Sequence, residues 1–181
     1  MTAFPFFTQL LLALIVVTAA VYDVRYRRIP NWLTLSGILL GFGLNALLGG
    51  FGGVALAGKG MLLAFAVYFV LYLLHAVGAG DAKLMAAAGA VAGPDNWFVV
   101  FIFTALCGGI FALILLLSRR RFKKTIWNVG YLLYEIAHFR APYLAHEELD
   151  VKNPKALRLP HGLTIAVGTG VFLVVRRLLA N

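Results

Sequence analysis

The sequence predicts an all-α integral membrane protein built as one bundle of about six transmembrane helices. Three observations point there. Hydrophobic residues make up 62% of the chain and charged residues only 13%, against roughly 25% charged in a soluble domain. The chain is mostly apolar runs, several of them close to the roughly 18 to 20 residues that cross a bilayer as a helix. Most Lys and Arg fall between these runs rather than within them, as membrane topology requires. The 181 residues suit a single membrane-embedded domain over 1–181, with no room for a second sizeable one.

The elements follow in order. Span 1 covers about Phe4 to Tyr22 and ends in "YDVRYRRIPNWL". Pro30 suits the first turn of the next helix, where its missing N–H is not needed. Span 2 runs from about Asn31 to Leu48 and gives way to "GGFGGVALAGKG", a glycine-rich turn. Span 3 covers about Met61 to Val77. Span 4, about Ala82 to Ala92, is short and rich in small residues. It reaches only about 16 Å at 1.5 Å per residue, and its alanines let neighbouring helices approach closely. "GPDN" makes a turn, and span 5 runs from about Trp97 to Leu117. A polar segment from Ser118 to Pro160 opens with "RRRFKK". Within it Ile126, Val129, Leu133 and Ile136 recur at helical spacing, which predicts an interfacial amphipathic helix. Span 6 covers about His161 to Val175, followed by Arg176 and Arg177, which can snorkel to the interface.

Charge sets the orientation. With six spans and the N-terminus outside, 13 of the 16 Lys and Arg fall in inward loops. Only Lys59, Arg176 and Arg177 remain outside. The positive-inside preference therefore places the ends of spans 1 and 3 at the cytoplasmic face. The net charge of +9 is read as topology and lipid-headgroup contact, not as a nucleic-acid surface. The single cysteine, Cys107, can form neither an internal disulfide nor a CxxC metal site. The four histidines lack ligand spacing, so no metal is expected. No cleavable signal peptide is expected either, since the basic cluster follows the first apolar run.

Two of the seven acidic residues stand out. Asp23 and Asp81 both fall at the cytoplasmic boundary of the bundle, where ionisable groups are costly and point to function. Each also has a plain reading. Asp81 can N-cap the helix that follows, and Asp23 can pair with Arg25 or Arg27. But Asp23 lies at the C-terminal end of span 1, where the helix dipole disfavours a carboxylate. Two carboxylates held close in a poorly solvated site do not both ionise easily, so one stays protonated. Such a pair can hydrolyse a peptide. The carboxylate takes a proton from water, the water attacks the carbonyl, and the acid protonates the leaving nitrogen. Gly78 and Gly80 allow tight backbone geometry beside Asp81 and close approach of a substrate strand.

These residues resemble a known family. "GAGDAKLMAA" is similar to the GxGDxKL motif of the type IV prepilin peptidases, and "DVRYRRIPNWLT" to their second motif, an aspartate followed by basic residues and Ile-Pro-Asn. "RLPHGLTIAVG" resembles their final-helix pattern. The resemblance covers nearly the whole chain, and by size is nearest to the short form of Flp (tight-adherence) pilus systems. It implies a membrane aspartic endopeptidase with Asp23 and Asp81 as the catalytic pair and Gly78, Gly80, Lys83, Pro30 and Asn31 as supporting motif residues. It implies removal of a basic leader from a prepilin-like substrate at the cytoplasmic face of the bacterial inner membrane, without a cofactor. Larger bifunctional members also methylate the new terminus and carry a CxxC-bearing domain. This chain has neither the cysteines nor that insertion, so methyl transfer is not implied.

Other groups have plainer readings. Lys83 can tune the carboxylates, contact a substrate carbonyl or simply anchor at the interface. His75 and His161 can face the site but read first as satisfied interior groups. Asn31 reads first as a cap. Two other functions remain open: a small cation-coupled transporter, in which the aspartates bind a cation, and a non-catalytic component of a pilus or secretion machine. Both aspartates at one face and the lack of an inverted repeat weigh against transport. Partners expected are the substrate and membrane lipid; nothing in the sequence sets an oligomeric state.

Overall fold

The computed structural model describes residues 4–74, 76–118 and 161–179. The expected amphipathic helix after Ser118 and His75 lie outside them. The described residues form four helices and no strand: α1 (Phe6–Tyr26), α2 (Asn31–Leu73), α3 (Ala79–Ser118) and α4 (His161–Leu179). All four are long and apolar enough to cross a membrane.

Among the described residues the expected six helices are therefore corrected to four. The two predicted turns shrink to one glycine each. Gly50 (φ 54°, ψ −136°) interrupts the 43-residue α2, and Gly93 (φ 73°, ψ 171°) interrupts the 40-residue α3. Both sit at positive φ, which glycine adopts without steric cost. Pro94 follows at once, where the resumed helix needs no N–H. Each glycine turns its helix back on itself. Asn45 and Gly53 would be about 12 Å apart along a straight helix, yet a Cβ on Gly53 would strike the Asn45 carbonyl oxygen. In α3, Asp81 and Phe101 would be about 30 Å apart along a straight axis. Yet the Tyr68 ring lies 6.0 Å from that of Phe101, and its phenol is within electrostatic reach of Asp81.

The first half of α3 is the centre of the molecule. Ala82, Leu84, Met85 and nearly every residue through Gly93 are buried. Small residues permit this. Gly60 meets the backbone of Gly89 and Gly93, and a Cβ on Gly41 would lie 2.9 Å from Val91. Close backbone approach substitutes for a hydrophobic driving force that lipid surroundings do not supply. Asn45 adds polar contacts, with its Nδ2 donating to the carbonyls of Ala90 (3.0 Å) and Val91 (3.2 Å). Large side chains such as Leu47, Phe51 and Leu178 point outward.

α4 closes the bundle against α1 and α3. Its far end is fixed by Arg176, which donates to Asn96 Oδ1 at 2.5 Å and stacks its guanidinium 5.1 Å from the Phe4 ring. That places Phe4, Asn96 and Arg176 at one end of the bundle. The near end of α4 and the far end of α1 meet at the other, where the aspartates are.

Candidate active site

Asp23 lies in the last turn of α1 and is buried, 9% exposed. A carboxylate there opposes the dipole of its own helix. The compensation comes from α4. The Gly162 N–H, in the first turn of α4, donates to Asp23 Oδ2 at 2.8 Å. First-turn amides have no acceptor inside their helix, and the positive end of α4 faces the carboxylate. Glycine leaves room for this contact, because a Cβ at 162 would crowd the carboxylate, at 3.0 Å from Asp23 Cβ and 3.1 Å from Oδ2. α1 ends at Arg27, which adopts a left-handed conformation (φ 54°) and donates its N–H to the Asp23 carbonyl at 2.9 Å.

Asp81 is held in a parallel way. α3 starts at Ala79, so Asp81 sits in its first turn and not at the capping position the sequence suggested. Its Oδ2 accepts the Gly78 N–H at 3.0 Å. An acid in the first turn reaching back to the amide before the helix is one half of a capping box. The plain capping role is thus present, in altered form. The two motif glycines have separate uses. A Cβ on Gly78 would lie 3.2 Å from Asp81 Oδ2, and one on Gly80 would lie 3.3 Å from Ile29 Cβ.

The two aspartates line one cleft of about 340 Å³, together with Gly78, Gly80, Asn31 and Lys83. Lys83 Nζ donates to Asn31 Oδ1 at 2.9 Å, which bridges α3 to the start of α2 on the cleft's rim. Pro30 does not line the cleft. It precedes α2 in extended conformation (φ −69°, ψ 139°) rather than occupying its first turn, and its carbonyl accepts from Leu33 at 3.2 Å. Its neighbours Ile29 and Asn31 meet Gly80 and Lys83 respectively.

Four contributors were not picked out in the sequence. Arg27 and Arg28 line the cleft but read as topology signals, with Arg27 also a pairing option for Asp23 and neither marked as a site residue. Tyr68, fully packed, lies within electrostatic reach of Asp81 but stands in an apolar run that gives it no mark over Tyr72. Gly162 reads only as part of a final-helix pattern. His161, weighed first as an interior group, starts α4 with its ring 6.3 Å from Tyr68 and within electrostatic reach of Asp81. Its Nε2 is buried with no hydrogen-bond partner among the described residues. Among those residues no cluster of three His, Cys, Asp or Glu is placed to hold a metal.

Fold and cleft together define a helical membrane-type bundle with two carboxylates, each bound to a helix-start amide, lining one opening. The family model for type IV leader peptidases matches residues 10–113, more than half of the chain, and the chain belongs to that family. It is also 34% identical over 140 residues to a prepilin leader peptidase/N-methyltransferase of Escherichia coli (strain K12). That match covers 66% of this chain and 60% of the relative's length. No solved structure matches the chain.

Proposed function

We propose that this protein is a membrane aspartic endopeptidase that removes the leader from a prepilin-like protein at the cytoplasmic face of the bacterial inner membrane. The observation that carries the reading is that Asp23 and Asp81, from separate helices, line the same cleft. Membership of the leader peptidase family supports it, as does the relative's name. The two-carboxylate cleft accounts only for the hydrolytic half of that name.

In this mechanism the pair shares one proton. The ionised carboxylate takes a proton from a water in the cleft, and the oxygen attacks the scissile carbonyl carbon. The C–N bond breaks as the protonated partner delivers its proton to the leaving nitrogen. The amides of Gly78 and Gly162 hold one oxygen of each carboxylate, so both present a fixed face to substrate. The substrate enters extended, since a helix keeps its carbonyls hydrogen-bonded.

The orientation belongs to the same proposal. The reversals at Gly50 and Gly93 make α2 and α3 each cross the membrane twice, so the four helices give six crossings. Arg25, Arg27, Arg28 and Lys83 then share the cytoplasmic side with the cleft, while Lys59, Arg176 and Arg177 lie outside. The test is co-expression of the full chain with a prepilin-like substrate, followed by mass measurement of that substrate. Loss of the leader is expected. A substrate that keeps its leader through a series of such partners would overturn the reading.

A further inference from the structure

A second opening adjoins the cleft. It is a groove of about 430 Å³ between the two halves of α2 and the first half of α3, within the roughly 300 to 1,000 Å³ typical of binding sites. Leu35 and Ile38 come from one half of α2, and Met61, Leu62 and Phe65 from the other. Leu62 is 64% exposed and Leu35 58%, so the groove opens sideways onto the lipid-facing flank. Thr34 also lines it, but its hydroxyl donates to the Asn31 carbonyl at 3.0 Å, so its polarity is turned onto its own helix. The polar chemistry is therefore confined to one end, where Asn31 and Lys83 stand.

Those two residues line the groove and the aspartate cleft alike. Their 2.9 Å hydrogen bond is the threshold between a compartment holding two carboxylates and an apolar one. Resting on the peptidase reading, we infer that the groove receives an apolar segment of the substrate adjoining the scissile peptide, with the chain crossing this threshold. A chain bound at the carboxylates and leaving past Asn31 and Lys83 enters the groove directly. Walls of Leu, Ile, Met and Phe take apolar side chains and reject charged ones, whose burial there would be unpaired. The stretch gains little by exchanging lipid for these walls, so fit rather than hydrophobicity sets the affinity. A lipid acyl chain suits the walls too, but the walls shared with the cleft favour substrate.

The test places a photo-cross-linking p-benzoylphenylalanine at Ile38 or Leu62 of the full-length protein in membranes. The Asp81→Asn background lets uncut substrate accumulate. Cross-links to the substrate segment adjoining the cleavage site are expected from both positions and not from Leu178, an exposed α4 residue away from the groove. In the otherwise native protein, Leu62→Trp is expected to raise KM on the order of tenfold with kcat within about twofold. Cross-links to lipid alone, equal substrate capture from Leu178, or a native KM in Leu62→Trp would overturn the groove assignment. Failure of the peptidase reading is distinct: the native protein would then leave the substrate uncut, which removes the groove's role with it.

Discussion

The backbone N–H of Gly162 binds Asp23 Oδ2 at 2.8 Å, joining the start of the last helix to the end of the first. The contact offsets an unfavourable carboxylate position on α1 and fixes one of the two groups the proposed reaction needs. Gly162→Ala would put a Cβ 3.0 Å from Asp23 Cβ. The expected result is a fall in kcat of about ten- to a hundredfold, as a misplaced reacting group produces, with the protein still inserted. Leader cleavage kinetics in membranes measure it.

Glycines inside the bundle differ in what a methyl group would meet. Gly60→Ala would drive a Cβ into the Gly89 carbonyl oxygen and to 2.8 Å from Gly93 Cα. The expected loss of stability is about 1–3 kcal/mol or more, as for overpacked cores. Gly43 has a helical backbone, and a methyl group there would meet nothing within 4 Å. Gly43→Ala is therefore expected to be neutral or stabilising by up to about 1 kcal/mol. Thermal unfolding of both variants in the same detergent checks the contrast.

The buried Asn45 amide spans α2 and α3 through the Ala90 and Val91 carbonyls. Asn45→Ala is expected to lower stability by about 0.6–2 kcal/mol, the range of hydrogen bonds between membrane helices. It is expected to leave the cleft residues in place, so the midpoint of unfolding moves while kcat stays close to native.

The Lys83–Asn31 bridge is exposed, and exposed polar pairs contribute about 1 kcal/mol at most. Asn31→Ala is therefore expected to change the unfolding midpoint little. Because the bridge forms the cleft's rim, the same variant is expected to lower kcat/KM several-fold. Equal loss of stability and activity would assign Asn31 a structural role instead.

Much of this architecture is legible in the sequence, and the parts that are not have physical reasons. Asp23 at the end of one apolar run and Asp81 behind two glycines stand out by composition and helix polarity, and the resemblance of their motifs pairs them. Ala82 to Ala92 reads as a close-packing segment because its side chains are small, and it is the buried centre. The number of helices is misread because a single glycine at positive φ can reverse a chain, which makes the expected multi-residue turns at Gly50 and Gly93 unnecessary. Tyr68 and Gly162 are hidden, and His161 reads first as an interior group, because their roles depend on which helices meet, and no local spacing encodes that. Pro30 is displaced by one position, the usual uncertainty of a helix boundary.

The most direct measurement of the central claim is leader cleavage by Asp23→Asn and Asp81→Asn, each compared with the native chain at equal membrane abundance. Asparagine keeps an oxygen that can accept from Gly162 or Gly78, so the bundle is retained while the shared proton chemistry is lost. The account predicts that each variant alone lowers cleavage by about 10² to 10⁴-fold or more, the range of general acid–base catalysis. Cleavage at the native rate by either variant would contradict it.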